Sequence, residues 1–145
     1  MPFPQKLFTP EQADRTLPLV RRIVHDIVAH YRRWAERMRE FEVVTSGSDR
    51  DRLEPRAEQL RREVQTLAAE IEGFERELND LGIELKDYSL GLIDFPAELN
   101  GRMVYLCWRL GEPSVRFWHE PATGYRGRRP LYPAVNAGTS PTSTS

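Results

Sequence analysis

"IELKDYSLGLIDFPAELNGRMVYLCWRLGEPSVRFWHE", residues 83–120, decides the fold. Apolar residues recur at every second position, the period of a half-buried strand, and turn signals interrupt the run. The reading is four antiparallel strands, "IELKDY", "LIDFPAEL", "MVYLCWRL" and "VRFWHE". Asn100-Gly101 is the strongest punctuation, since a two-residue hairpin loop favours residues that accept positive φ. "GEPS" at 111–114 reads as a second, four-residue turn. Ser89-Leu90-Gly91 reads as a three-residue loop with Gly91 in the left-handed position. Counting outward from Asn100-Gly101 pairs Leu99 with Arg102, Phe95 with Leu106 and Ile93 with Trp108. Counting from "GEPS" pairs Leu110 with Val115, Trp108 with Phe117 and Leu106 with His119. Both counts place Ile93, Phe95, Ala97, Val104, Leu106, Trp108, Leu110, Val115 and Phe117 on one face, which a one-residue slip would expose. Pro96 lacks a ladder donor and predicts an irregularity near 96.

That apolar face packs on something written upstream. In "FTPEQADRTLPLV", Thr9 can cap a helix, Pro10 suits its first position and Gln12 completes a capping box. Apolar residues then fall at Leu17, Val20, Val24, Ile27, Tyr31, Trp34, Met38 and Phe41. After a polar turn they resume at Leu53, Ala57, Leu60, Val64, Leu67, Ile71, Phe74, Leu78 and Leu81. Alternating spacings of three and four are the heptad seam of a coiled coil. Two such seams joined by a short loop predict an antiparallel helical hairpin over about 10–42 and 52–81, each arm roughly 45 Å long. Ile23 and Val28 widen the stripe near the start of the first helix, whereas charged residues flank it past Tyr31. The base should therefore carry a third layer, and the tip should need only one partner helix. The fold class expected is α+β: a coiled-coil-like hairpin packed at its base on a four-stranded meander. A single domain spans 1–132, ending in an arm over 121–132, and the Ser/Thr/Gly-rich tail 133–145 is expected to be disordered. Aromatic seam residues at Trp34, Met38 and Phe41 suggest a homo-oligomer formed through the hairpin.

On these registers the outward face of the sheet carries a row of Lys86, Asp94, Cys107 and Trp118. Tyr105 lies beside Glu120, and Arg109 and Arg116 lie beside Leu92. Exposed aromatics next to arginines suit a small anionic ligand or a protein partner, so Lys86, Tyr105, Cys107, Arg109, Arg116 and Trp118 are the ligand-binding candidates. The competing arrangement has "GYRGRRPLYP" folding back to cover that face with Tyr125, Leu131 and Tyr132. His119 falls on the inner face at the sheet edge, where a histidine commonly satisfies a carboxylate. As metal ligands the candidates are His30, Asp87 and His119, fewer than a full set of four. For acid–base chemistry they are Asp94, Arg109, Glu112 and His119. The register separates Asp94 and Arg109 from His119, and Cys107 from His119, which disfavours a Cys–His nucleophile.

Composition narrows the rest. The 145 residues carry 21 Lys+Arg against 22 Asp+Glu, so no basic field steers nucleic acid. Nucleic-acid binding through Arg116, Arg126, Arg128 and Arg129 therefore ranks last. One cysteine excludes an internal disulfide and suits a reducing cytoplasm. No signal peptide or membrane span is expected. Dinucleotide, NTP, α/β-hydrolase and thioredoxin signatures are missing, and no cofactor is named by any motif.

Taken together, "FTPEQADRTLPLV", "LGIELKDYSLGLIDFPAELNGRMVYLCWRLGEPSVRFWHE" and "GYRGRRPL" resemble the bacterial family catalogued as domain of unknown function 2203. The resemblance covers the chain except the loop after Phe41 and the last dozen residues, and it implies no activity. Its recurring blocks coincide here with Lys86, Asp87, Asp94, Cys107, Trp108, Glu112, Trp118, His119, Gly124 and Gly127, the sheet end of the molecule. The function expected is a non-enzymatic interaction or ligand-binding module with a sheet recognition surface. The alternative is a small metal- or cofactor-dependent enzyme around His119, Asp87, Asp94 and Glu112.

Overall fold

A computed structural model describes residues 6–132; the disordered tail expected at 133–145 lies outside them. The chain forms α1 (Pro10–Ser46) and α2 (Arg50–Asp80), then strands β1 (Glu84–Asp87), β2 (Leu92–Leu99), β3 (Arg102–Arg109), β4 (Phe117–His119) and β5 (Arg129–Pro130). Among the described residues no helix is long and apolar enough to cross a membrane.

The capping box forms as read: Thr9 Oγ1 accepts from Gln12 N–H at 3.1 Å, and Gln12 Oε1 accepts from Thr9 N–H at 3.0 Å. Such a cap stabilises a helix start by about 1 kcal/mol. At the far end of α2, Ile83 N–H donates to the Leu78 carbonyl and Gly82 N–H to the Asn79 carbonyl. That is the Schellman pattern, which turns the chain sharply into β1.

Burial divides the hairpin as the stripe width predicts. Every fully buried residue of α1 lies between Ala13 and Ile27, over the sheet. Beyond Tyr31 the helices satisfy each other, and the pairs Arg37–Glu63 and Arg56–Glu40 flank the seam at 2.7 Å. Trp34 lies partly buried against the core cluster rather than free. The sheet's inner face supplies Ile93, Phe95, Ala97, Val104, Leu106 and Trp108, and the β3–β4 connection supplies Val115, to the core shared with α1 and α2.

All five strands pair antiparallel in chain order. Pairing of β2 with β3 follows the sequence count throughout, Leu99↔Arg102, Phe95↔Leu106 and Ile93↔Trp108. No irregularity appears at Pro96, which pairs with Tyr105 in register. Its carbonyl accepts from Phe8 N–H at 2.7 Å, on the side away from β3. A strand residue's N–H and C=O point to the same side, so the missing donor falls where no β3 acceptor stands. The irregularity lies instead in β1, between Leu85 and Asp87.

The β3–β4 register departs from the sequence count by one residue. Tyr105, Leu106 and Cys107 face His119, Trp118 and Phe117. The "GEPS" turn is wider than four residues because its groups are recruited elsewhere. Leu110 N–H donates to the Gly91 carbonyl, and Trp108 Nε1–H to the Glu112 carbonyl. Val115 is buried, and its N–H donates to Asp14 Oδ1 on α1 at 2.7 Å. A charge-assisted bond of that kind contributes about 1.5–3 kcal/mol, enough to hold the loop open. With period two, the one-residue change exchanges faces. Trp118 turns inward and packs against the core, while Phe117 and His119 turn outward.

β5 is a strand the sequence reading did not separate from the arm. It pairs with β4 through Phe117↔Pro130 and Trp118↔Arg129, and Leu131 N–H donates to the Arg116 carbonyl.

Candidate functional site

The shifted register brings together side chains that the sequence count kept apart. Asp94 on β2 faces Cys107 on β3, and His119 on β4 stands one pair along on the same face. A carboxylate oxygen of Asp94, Cys107 Sγ and a ring nitrogen of His119 all lie within 4.8 Å of one another. Asp94 is 2% exposed and His119 3%.

Hydrogen bonds fix how this cluster is used. His119 Nδ1 lies 2.9 Å from the Glu120 carbonyl, which can only accept, so Nδ1 carries the hydrogen. Nε2 is thereby aimed at Asp94 Oδ2, 3.0 Å away. Asp94 Oδ1 is buried with no hydrogen-bond partner among the described residues. Burial raises Asp94 above the ordinary carboxylate range, against the lowering effect of the His119 hydrogen bond and charge. Burial likewise pushes the Cys107 thiol up to about 12, the Asp94 charge adding and Arg128 opposing. The thiol is protonated in this state and a poor nucleophile.

A collar of charge and aromatic rings surrounds the three. Tyr105 stacks on His119 with centroids 5.6 Å apart, and the Lys86 ammonium lies 5.9 Å from the Tyr105 ring, paired with Glu84 at 3.1 Å. From the arm, Arg128 reaches back over the face. Its guanidinium lies 3.9 Å from the centre of Phe117, 4.5 Å from that of Tyr125 and 3.9 Å from Cys107 Sγ. It is held by Glu112 at 2.6 Å. The arm thus covers this end of the face with Arg128 and Tyr125, whereas Leu131 packs on the core and Tyr132 is exposed.

Other sequence candidates lie apart from the cluster or serve the backbone. Asp87 Oδ1 accepts from Ser89 N–H and Leu90 N–H and so closes the β1–β2 loop. His30 is held on α1, its Nδ1 2.9 Å from the Asp26 carbonyl and its Nε2 3.2 Å from Glu70. His30, Asp87 and His119 therefore do not converge; Asp94, Cys107 and His119 do. Arg109 is exposed, its guanidinium 3.4 Å from the Tyr125 hydroxyl, and Arg116 is exposed beside Ser114. Glu112 accepts from Arg109 N–H through Oε1 and pairs with Arg128 through Oε2. Trp118 leaves the ligand-facing set because it points inward. Arg128 is the residue the sequence singled out least; the arm over 121–132 was expected, but nothing in "GYRGRRPL" separates its three arginines. An open cleft of about 710 Å³ lies between α1 and the 110–113 turn, lined by Arg21, Arg22, His25 and Glu112 among others. Among the described residues it gathers no convergent donor set, so the buried cluster is the better candidate despite its small size.

Fold and site together define a small α+β protein in which a helical hairpin backs a sheet that buries an Asp–Cys–His cluster under its C-terminal arm. The chain belongs to the family described as "Uncharacterized conserved protein (DUF2203)", matched over residues 6–131. No curated protein and no solved structure gave a match.

Proposed function

We propose that this chain is a small binding module, with the hairpin as scaffold and the outward face of the sheet as recognition surface. The ligand site is the cluster Asp94, Cys107 and His119 beneath Arg128. The observation that carries this reading is the convergence of three donor groups from three strands at a place where they cost stability. An unpartnered buried carboxylate oxygen costs about 1–3 kcal/mol or more, which folding alone would remove by selecting apolar residues. Binding suits the geometry better than turnover. The Asp94 and His119 side chains retain only 2% and 4% exposure, so a substrate-sized molecule does not reach them beneath the arm. Self-association through the hairpin is no part of this reading, because charged pairs already flank the seam within one chain.

Replacing the pair by apolar residues of similar size, Asp94→Val with His119→Leu, and comparing both chains free of any bound ligand separates a binding role from a folding role. A urea midpoint unchanged or raised supports the reading, because replacing buried polar groups with apolar residues of similar volume is often neutral or stabilising. A lowered midpoint would show that the cluster exists to hold the sheet together and would overturn it.

A further inference from the structure

The geometry points to a single divalent transition-metal ion of the zinc class as the ligand, held by Asp94, Cys107 Sγ and His119 Nε2. This inference rests on the reading above that the cluster is a binding site.

Four observations converge. The three donor atoms come from adjacent strands and lie within 4.8 Å of one another. Around a tetrahedral ion with bonds of about 2.0–2.3 Å the donors stand roughly 3.3–3.8 Å apart, so side-chain movements of about an ångström complete the site. His119 is already set in the tautomer a ligand needs: Nδ1–H is engaged by the Glu120 carbonyl, leaving the Nε2 lone pair facing Asp94. A backbone carbonyl orienting the distal nitrogen is the usual outer-shell support of a metal-bound imidazole. Asp94 Oδ2 and His119 Nε2 stand 3.0 Å apart, and Oδ1 is buried without a partner among the described residues. Two lone pairs at that separation require a proton or a cation between them, and the orphaned oxygen is the further acceptor that a cation would use.

Charge supports the same assignment. One carboxylate and one thiolate neutralise a dication, and a bound metal deprotonates its thiol. The surrounding cations do not oppose it, because Arg128 is paired with Glu112 and Lys86 with Glu84. Arg128, 3.9 Å from Sγ, stands where it can donate to a metal-bound thiolate. The donor set selects the metal class: thiolate with imidazole favours zinc-type ions over magnesium or calcium, which prefer oxygen alone. Three protein ligands leave a fourth position for water or a small anion.

Cobalt(II) is the probe, because it reports its ligands in its spectrum. The full chain, stripped with chelator, is titrated with Co²⁺ and then with Zn²⁺. The expected result is saturation at one equivalent, intense visible bands of a tetrahedral site, and a near-ultraviolet thiolate-to-cobalt charge-transfer band, all abolished by Zn²⁺. Cys107 is the only cysteine in the chain, so the charge-transfer band identifies its ligand without any variant. His119→Gln and Asp94→Asn, each checked for folding by circular dichroism, should weaken Co²⁺ binding at least tenfold. Absence of the charge-transfer band from the wild-type chain overturns the assignment, as does retention of full affinity in a folded His119→Gln variant. If the band is absent while Asp94→Val/His119→Leu keeps its urea midpoint, the metal falls and the binding surface stands. If that midpoint drops, the underlying reading falls as well.

Discussion

Gly91→Ala probes the junction on which the sheet is mounted. Gly91 sits at φ +68, where an L side chain is strained by about 1–2 kcal/mol. It is also closely packed: a Cβ there would stand 2.8 Å from Leu110 Cβ, 2.9 Å from Val24 Cγ1 and 3.0 Å from Val28 Cγ2. Two of those atoms belong to α1 and one to the chain leaving β3, so the clash presses the sheet away from the hairpin. Overpacking of this kind adds about 1–3 kcal/mol. Gly101→Ala is the internal control, since Gly101 has φ +78 but nothing within 4 Å of its added Cβ. It carries the backbone strain without the clash. For a domain of this size 1 kcal/mol moves the thermal midpoint by roughly 3–5 °C. Gly91→Ala should therefore melt about 3–15 °C below Gly101→Ala, which itself melts below the wild type. Calorimetry or circular dichroism reads the difference. Equal midpoints for the two variants, within about 2 °C, would refute the close approach of α1, Leu110 and the β1–β2 loop.

Two further outcomes follow from the ionisable groups. In the metal-free chain, with its thiol pushed up to about 12 and fully buried, Cys107 should resist a disulfide reagent at mildly alkaline pH while folded and react with one equivalent in denaturant. Rapid native reaction would show the arm does not cover it. Asp87 is held below the usual carboxylate range by the Leu90 N–H first, with the Ser89 hydroxyl and N–H adding to it. A depressed folded pKa contributes stability above the unfolded value, about 3.9, and that contribution disappears as pH falls through the folded value. The stability gap between wild type and Asp87→Ala, measured by urea melts, should therefore be full near neutrality and close in acid. A gap that widens toward low pH would contradict the loop-closing role.

Much of this was legible from local pattern. The hairpin followed from two heptad seams, its start from Thr9, Pro10 and Gln12, and the β2–β3 register from Asn100-Gly101, whose two-residue turn leaves one way to count. The wide base and narrow tip followed from where Ile23 and Val28 give way to arginines and glutamates. What escaped was set by distant partners. Asp14 holds Val115 from 101 positions away, and Gly91 holds Leu110, so "GEPS" could not be read as a turn from its own residues. Those two recruitments moved His119 to the outward face and assembled the Asp94–Cys107–His119 cluster. β5 is two residues long, too short to show a period. Arg128 differs from Arg126 and Arg129 only in what it meets after folding: Glu112, Phe117 and Cys107.

The register of β4 against β3 is the claim from which the site follows, and nuclear Overhauser contacts in the folded chain measure it directly. Backbone contacts are expected between Leu106 and Trp118, with the Trp118 indole among core side chains and the His119 ring against Tyr105. Backbone contacts between Leu106 and His119, with the Trp118 indole on the outward face beside Cys107, would contradict it and dissolve the cluster.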